Sequence, residues 1–162
     1  MLTRDRAMHL FSYDPDTGVF TRKQMRGGYK KGSAAGTSFG DGYVRLTIDR
    51  KSYMAHRVAW LMVHGCWPSE QLDHINNVRN DNRLCNLREA TATQNEYNKG
   101  KRKNNTSGFK GVDFDSRRNK WRAKIRVSGR RIQLGLHNTP EEAYEAYCKA
   151  AKELHQEFCN LG

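Results

Sequence analysis

Asp73 and His74 stand side by side, with Asn86 12 residues after the histidine and Asn95 21 residues after it. An imidazole with an ordinary pKa near about 6.5 is largely unprotonated at neutral pH and can take a proton from water. A carboxylate and an amide oxygen are hard donors that suit Mg²⁺, which keeps several waters and takes the rest of its shell from a substrate phosphate. Together these are the parts that hydrolyse a phosphodiester: a base for the water, a cation on the phosphate and departing 3′ oxygens, and something to hold the base. Because the cation can stabilise the leaving oxygen, no second protein acid is required. Each residue alone is ordinary. An Asp-His pair commonly completes a surface hydrogen bond, and Asn82 reads as turn chemistry. The spacing carries the signal.

The elements that must position these residues lie in "LDHINNVRNDNRLCNLREATATQNEYN", residues 72–98, which holds seven asparagines. Asparagine favours turns and caps over helix interiors and strands. "QLDHI" ends a short strand, "NNVRNDNRLC" is a polar loop shaped by Asn76, Asn77, Asn80 and Asn82, and "NLREAT" returns as a second strand. "TATQNEYNKG" then forms a helix capped by Thr91 or Thr93 and stopped at Gly100. Such a β-β-α unit brings the end of its first strand beside the first turns of its helix, where Asp73, His74 and Asn95 would converge. Asn98, one turn after Asn95, is the rival for the helix ligand. Upstream, "FSYDPDTGVFTRK" and "GYVRLTIDRKSYMAHR" carry hairpin signals, and "AHRVAWLMVHG" reads as a short buried helix stopped at Gly65. Between the hairpins, "KQMRGGYKKGSAAGTSFGDG" is expected to be a loop lying along phosphates. His56 and His64 are expected to pack or touch phosphate rather than catalyse, and Arg57, Arg79 and Arg83 to grip the backbone near the scissile bond.

The C-terminal segment offers a surface to hold the substrate. "SGFKGVDFD", "KWRAKIRV" and "RRIQLGLHN" are three strands with turns at 116–119 and 128–129. In the middle strand Trp121, Ala123, Ile125 and Val127 share one face, and Lys120, Arg122, Lys124 and Arg126 the other. The third strand extends this, with Ile132, Leu134 and Leu136 opposite Arg131, Gln133 and His137. A helix begins at Thr139, with Pro140 in its first turn and Glu142 completing a capping box. Its stripe Ala143, Tyr147, Ala150, Ala151, Leu154 and Phe158 covers the apolar sheet face. The cationic face stays open, which points to DNA contact.

Two resemblances sharpen these readings. Through "GFKGV", "KWRAKIR" and "LGLHNTPEEAYEAYCKAA", the third segment resembles the plant ethylene-response-factor type of DNA-binding domain, the AP-two/ERF family. The resemblance implies that the sheet enters the major groove, with Lys110, Lys124, Arg126, Arg131 and Gln133 at base- and phosphate-contacting positions. The chain departs from the family at Asp113 and Asp115, where arginine is usual, and at Gln133, where tryptophan is usual, so the preferred DNA sequence does not carry over. Residues 40–100 resemble the HNH nucleases, specifically the phage and intron homing subgroup that begins with Asp-His, through "AHRVAWLMVHG", "NRLCNL" and the Asp-His/Asn/Asn spacing. That likeness implies Asp73 and Asn95 as metal ligands, His74 as general base, and Asn86 as the residue bracing the loop. Pairing the two domains is characteristic of mobile phage endonucleases.

The composition agrees. Across 162 residues the net charge is +12, which favours a polyanionic partner. It is distributed unevenly: +5 over 1–70, zero over 71–100, +10 over 101–138 and −3 over 139–162. A neutral segment between basic ones suits a reactive centre flanked by phosphate-holding surfaces. No run of about 18 apolar residues appears and no secretory signal is evident, so neither a membrane nor export is expected. Four cysteines form no CxxC or zinc spacing and read as reduced residues of a cytoplasmic protein. The expected fold class is α+β: N-terminal hairpins plus a ββα-metal (HNH, or His-Me finger) module, then a three-stranded antiparallel sheet on one helix. The expected domains are a nuclease domain over 1–97, a basic linker over 98–107 with Lys101, Arg102 and Lys103 as DNA contacts, and a DNA-binding domain over 108–162. The expected activity is cutting or nicking of double-stranded DNA with Mg²⁺, or Mn²⁺ in its place, by a monomer. The alternative is a DNA-binding regulator whose nuclease module has decayed.

Overall fold

The computed structural model describes residues 1–25 and 27–162, and its contacts divide into two units, Met1–Glu89 and Ala90–Gly162. The fold is the expected mixture of small antiparallel sheets and helices. Arg26, in the Gly- and Lys-rich loop read as lying along phosphates, lies outside the described residues.

The N-terminal unit opens with a helix that hydrophobic patterning did not reveal, α1 (Arg4–Leu10), started by the Thr3 side chain accepting from the Arg6 N–H. Strands β1 (Phe11–Tyr13) and β2 (Phe20–Arg22) form the first hairpin, and β3 (Ala34–Ala35) extends it. β4 (Thr37–Ser38), β5 (Val44–Ile48) and β6 (Lys51–Met54) make a second sheet. The β5–β6 turn places Asp49 and Arg50 at positive φ, as a two-residue hairpin requires. α2 (Ala55–His64) follows directly and ends on left-handed Gly65. Its Ala55, Val58, Ala59 and Leu61 are buried with Leu46, Ile48, Phe20 and Leu10 in one core. β7 (Gln71–His74) pairs with β8 (Leu87–Ala90) across a loop that closes with a 3₁₀ turn at Leu84–Asn86.

The C-terminal unit begins with α3 (Ala92–Asn98), where Thr91 caps and Gln94 completes the reciprocal box. β9 (Val112–Asp115), β10 (Lys120–Val127) and β11 (Arg130–His137) form its antiparallel sheet, joined at Ser128–Gly129 by a turn with positive φ at both residues. α4 (Pro140–His155) packs Ala143, Tyr147 and Ala151 against Val112, Ala123 and Ile125.

The alternation expected along β10 holds, but that of β11 breaks. A bulge at Leu134 shifts the register, so that Ala123 pairs with Gly135 while Lys124 pairs with Gln133. Beyond it Leu136 pairs with Arg122, on the cationic side, and His137 pairs with Trp121. An extra residue in one strand reverses the parity of everything after it. Two details of α4 also differ. Glu142 accepts from the Asn138 N–H rather than from Thr139, and Leu154 is exposed while His155 takes the inward position. His155 is retained there because its Nε2 bonds the Arg126 carbonyl at 2.9 Å and its ring stacks on Tyr97.

Candidate functional site

Asp73 and His74 end β7, and both are 5% exposed. Burying a carboxylate demands a partner, and Arg88 on β8 supplies it: Nε and Nη2 donate to Asp73 Oδ2 at 3.0 and 2.9 Å. His74 lies among aromatic rings. The His56 ring meets it edge-on at 4.9 Å, and Tyr43 lies 5.9 Å from His74 and 5.4 Å from His56. Burial lowers the pKa of His74, opposed by a hydrogen bond with Asn82 and by the charges of Asp73 and Asp81. The result is a neutral imidazole at physiological pH, the state a general base needs. His56 is brought down to about 3 by burial, helped by His74 and Arg57, and its Nδ1 has no hydrogen-bond partner among the described residues.

The loop between β7 and β8 is held by amides. Asn86 accepts from the Asn76 N–H through Oδ1, donates to the Asp81 carbonyl through Nδ2, and its backbone carbonyl receives the Ile75 N–H. One side chain thus fastens both ends of the loop that follows His74. Asn82, read from sequence as turn chemistry, is 4% exposed and places Oδ1 3.3 Å from His74 Nε2. Its own position is set by the first hairpin. The Tyr13 hydroxyl donates to the Asn82 carbonyl at 2.7 Å, and the Leu84 N–H to the Pro15 carbonyl at 2.9 Å. At Gly18, with φ +74°, a Cβ would sit 2.6 Å from backbone atoms of Asn82 and Arg83, so only glycine lets the turn approach. Asn82, Arg88 and His56 were not assigned site roles from sequence. An Asp-His pair ending one strand, with a lone arginine on the strand that returns beside it, is the signal that could have pointed to Arg88. Nothing local links residues 56 and 74.

Asp73, His74 and Asn86 lie in the N-terminal unit, whereas Asn95 and Asn98 lie on α3 in the C-terminal unit. Within that unit α3 is well fastened. The Tyr97 hydroxyl accepts from the Ser128 N–H, and Asn160 donates to the Asn98 carbonyl. Lys110 Nζ donates to the carbonyls of Tyr97 and Asn160, and burial brings this ammonium down to about 8. Within the N-terminal unit the Asp73 carboxylate is an oxygen donor that Arg88 holds in one orientation, and such a donor suits a hard divalent cation.

The remaining expected contacts fall into distinct settings. Arg83 forks onto Asp81 at 2.6–2.8 Å, which pushes its own pKa up and holds the Asp81 carboxyl well below the usual range. Arg57 reaches the Glu70 carbonyl, and Arg79 lies over the Tyr43 ring at 5.0 Å. In the C-terminal unit Lys101, Arg102 and Lys103 line the same cavity, about 800 Å³, as Lys124, Arg126 and Arg131. Gln133 is exposed opposite Lys124. Arg122 and Lys124 are ion-paired to Asp113.

Comparison with known proteins agrees with both parts. Residues 53–97 match the HNH endonuclease family and residues 107–157 match the AP2 domain. Protein 3.8 of Escherichia phage T7 is 30% identical over 120 residues, covering 69% of this chain and 98% of that protein. An uncharacterized HNH endonuclease, L560, of Acanthamoeba polyphaga mimivirus is 32% identical over 115 residues, covering 70% of this chain and 59% of its own length. No solved structure matches the chain.

Proposed function

Because the chain belongs to the HNH endonuclease family and carries an AP2 domain, we propose that it is a homing-type enzyme that cuts or nicks double-stranded DNA by metal-dependent hydrolysis. The observation that carries this reading is His74: a neutral, buried imidazole beside an arginine-held carboxylate, on a loop fastened by Asn86. Asp73 and Asn95 would hold Mg²⁺, with Mn²⁺ as a substitute. Bound there, the cation supplies positive charge to the scissile phosphate and the departing 3′ oxygen.

The chain's own residues do the rest. His74 takes a proton from the attacking water, because burial keeps its ring neutral. In the imidazolium that results both nitrogens are donors, and Asn82 Oδ1 accepts from Nε2. Asn86 is a positioning residue that keeps the loop, and with it His74, in place. Residues 1–97 form the nuclease domain, 98–107 a basic connector, and 108–162 a docking domain whose sheet meets the major groove with Arg126, Arg131 and Gln133. The protein acts as a monomer in the cytoplasm of a phage-infected host, and the phage relative supports that setting.

Incubating supercoiled plasmid with the full chain and Mg²⁺ or Mn²⁺ tests the proposal. Wild type should yield nicked or linear DNA, and His74→Ala should leave the plasmid supercoiled. Identical uncut plasmid from both, across metals and DNA sequences, would sink the enzyme reading.

A further inference from the structure

The cationic face of the C-terminal sheet carries a carboxylate in its midst. β9 and β10 pair so that Asp113 lies opposite Arg122, and directly paired residues of antiparallel strands share a face. Asp113 is bonded on both oxygens: Lys124 Nζ lies 2.6 Å from Oδ1, and Arg122 Nη2 donates to Oδ2. Asp115 adds to the cluster, 3.5 Å from Arg122 Nη1 and 3.1 Å from Arg118 Nη1. Burial raises the pKa of Asp113, but the bonds from Arg122 and Lys124 outweigh it and leave the carboxyl below its ordinary value. Asp113 is therefore ionised at neutral pH. One step along the sheet the setting changes. Arg126 and Arg131 are exposed cross-strand partners, and among the described residues neither is ion-paired to a carboxylate.

We infer that Asp113 is a specificity-determining residue of the DNA-docking face, acting by withholding Arg122 and Lys124 from the phosphate backbone. The inference rests on the reading that this sheet docks on duplex DNA. Sequence-independent affinity comes from lysine and arginine neutralising phosphates, and each phosphate contact adds about 0.9 to the salt dependence. A cation engaged by a carboxylate adds to that term only if the pair opens. Asp113 itself accepts hydrogen bonds and cannot donate, so phosphate repels it while a base amino group, such as the cytosine N4 amine, can satisfy it. Random duplex is thus held by fewer cations than the strand sequence offers. A site that presents an amino group to Asp113 escapes the penalty.

The test measures binding of the full chain to a random-sequence duplex across a salt series, without divalent metal so that no cleavage intervenes. Asp113→Asn should bind random duplex about three- to tenfold more tightly, with a salt slope steeper by about one to two. In the Arg122→Gln/Lys124→Gln background no cation remains for Asp113 to withhold, so adding Asp113→Asn there should leave the salt slope unchanged, with only the repulsion of the bare carboxylate relieved. If Asp113→Asn leaves affinity and slope unchanged in the otherwise wild-type chain, the inference is overturned. It is also overturned if Asp113→Asn steepens the slope equally in the double-variant background, because released cations could not then be the cause. Arg126→Ala and Arg131→Ala separate this failure from that of the docking reading. Each should lose about tenfold or more if the sheet docks on DNA, and unchanged affinity in both would refute docking itself.

Discussion

Replacing His56 with phenylalanine separates the burial of a titratable ring from the burial of an aromatic one. His56 is 6% exposed, packed between Tyr43 and His74, and its Nδ1 lacks a hydrogen-bond partner among the described residues. Burial, with smaller contributions from His74 and Arg57, lowers its pKa from 6.5 to about 3. In that window the unfolded chain binds a proton that the folded chain refuses, so stability must fall as the pH falls from 6.5 towards 3. Above pH 6.5 the ring is neutral in both states and contributes nothing to the slope. One proton is worth about 1.4 kcal/mol per pH unit, so descending to pH 5 costs about 2 kcal/mol. Urea unfolding of wild type and His56→Phe at about pH 7.5 and about pH 5 reads this directly. Wild type should lose about 2 kcal/mol more than the variant between the two conditions. A packing defect in the variant shifts both measurements alike, and the titration of His74 is common to both proteins. Equal losses would show that His56 is not held neutral by burial.

Two further perturbations probe what holds the site. Arg88→Met removes the guanidinium that bonds Asp73, a pair whose side chains are 15% and 5% exposed, and should destabilise the fold by about 3 kcal/mol while abolishing cleavage. A loss below about 1 kcal/mol in chemical denaturation would show that the pair holds nothing together. Tyr13→Phe deletes only the hydroxyl that donates to the Asn82 carbonyl. It should cost about 1–2 kcal/mol and slow plasmid cleavage with the fold intact, and wild-type rates and stability would rule out the first hairpin as a support for the loop.

Much of the architecture was legible because local chemistry dictated it. Asp49–Arg50 and Ser128–Gly129 are two-residue turns between alternating strands, and both adopt the positive φ that such turns need. Thr139 was legible as a cap and Gly65 as a stop for the same reason, while Thr91 and Thr93 were both open as the cap of α3 and the structure selects Thr91. The strand parity of β10 read correctly from Lys120 to Val127, while that of β11 failed at the bulge. The signal for that failure was present: Gly135, at φ +126°, is an isolated glycine within a strand pattern, which marks a bulge. The contact of His56 with His74 had no such signal. It joins α2 to β7 through packing, and packing between distant elements leaves no periodic trace. Charge counting had a similar blind spot. It assigned +10 to residues 101–138, but could not show that Arg122 and Lys124 are engaged by Asp113 whereas Arg126 and Arg131 are not.

The density of asparagine between β7 and β8 follows from the task of holding a histidine on a loop. A loop lacks ladder partners, so its backbone N–H and carbonyl groups must be satisfied some other way. An amide side chain both donates and accepts without carrying charge, and the residues use both capacities. Asn86 takes an N–H at one end and gives to a carbonyl at the other. Asn76 accepts from the Val78 N–H and donates to Asp81, and Asn77 turns the chain at φ +61°. Asn82 turns its oxygen to His74. Aspartates in these places would add charge beside Asp73, and serines would supply shorter reach. The amides are the residues that close the loop while leaving the field around His74 to Asp73, Asp81 and Arg79. The asparagine that looks most like turn chemistry, Asn82, is therefore also the one in contact with the base.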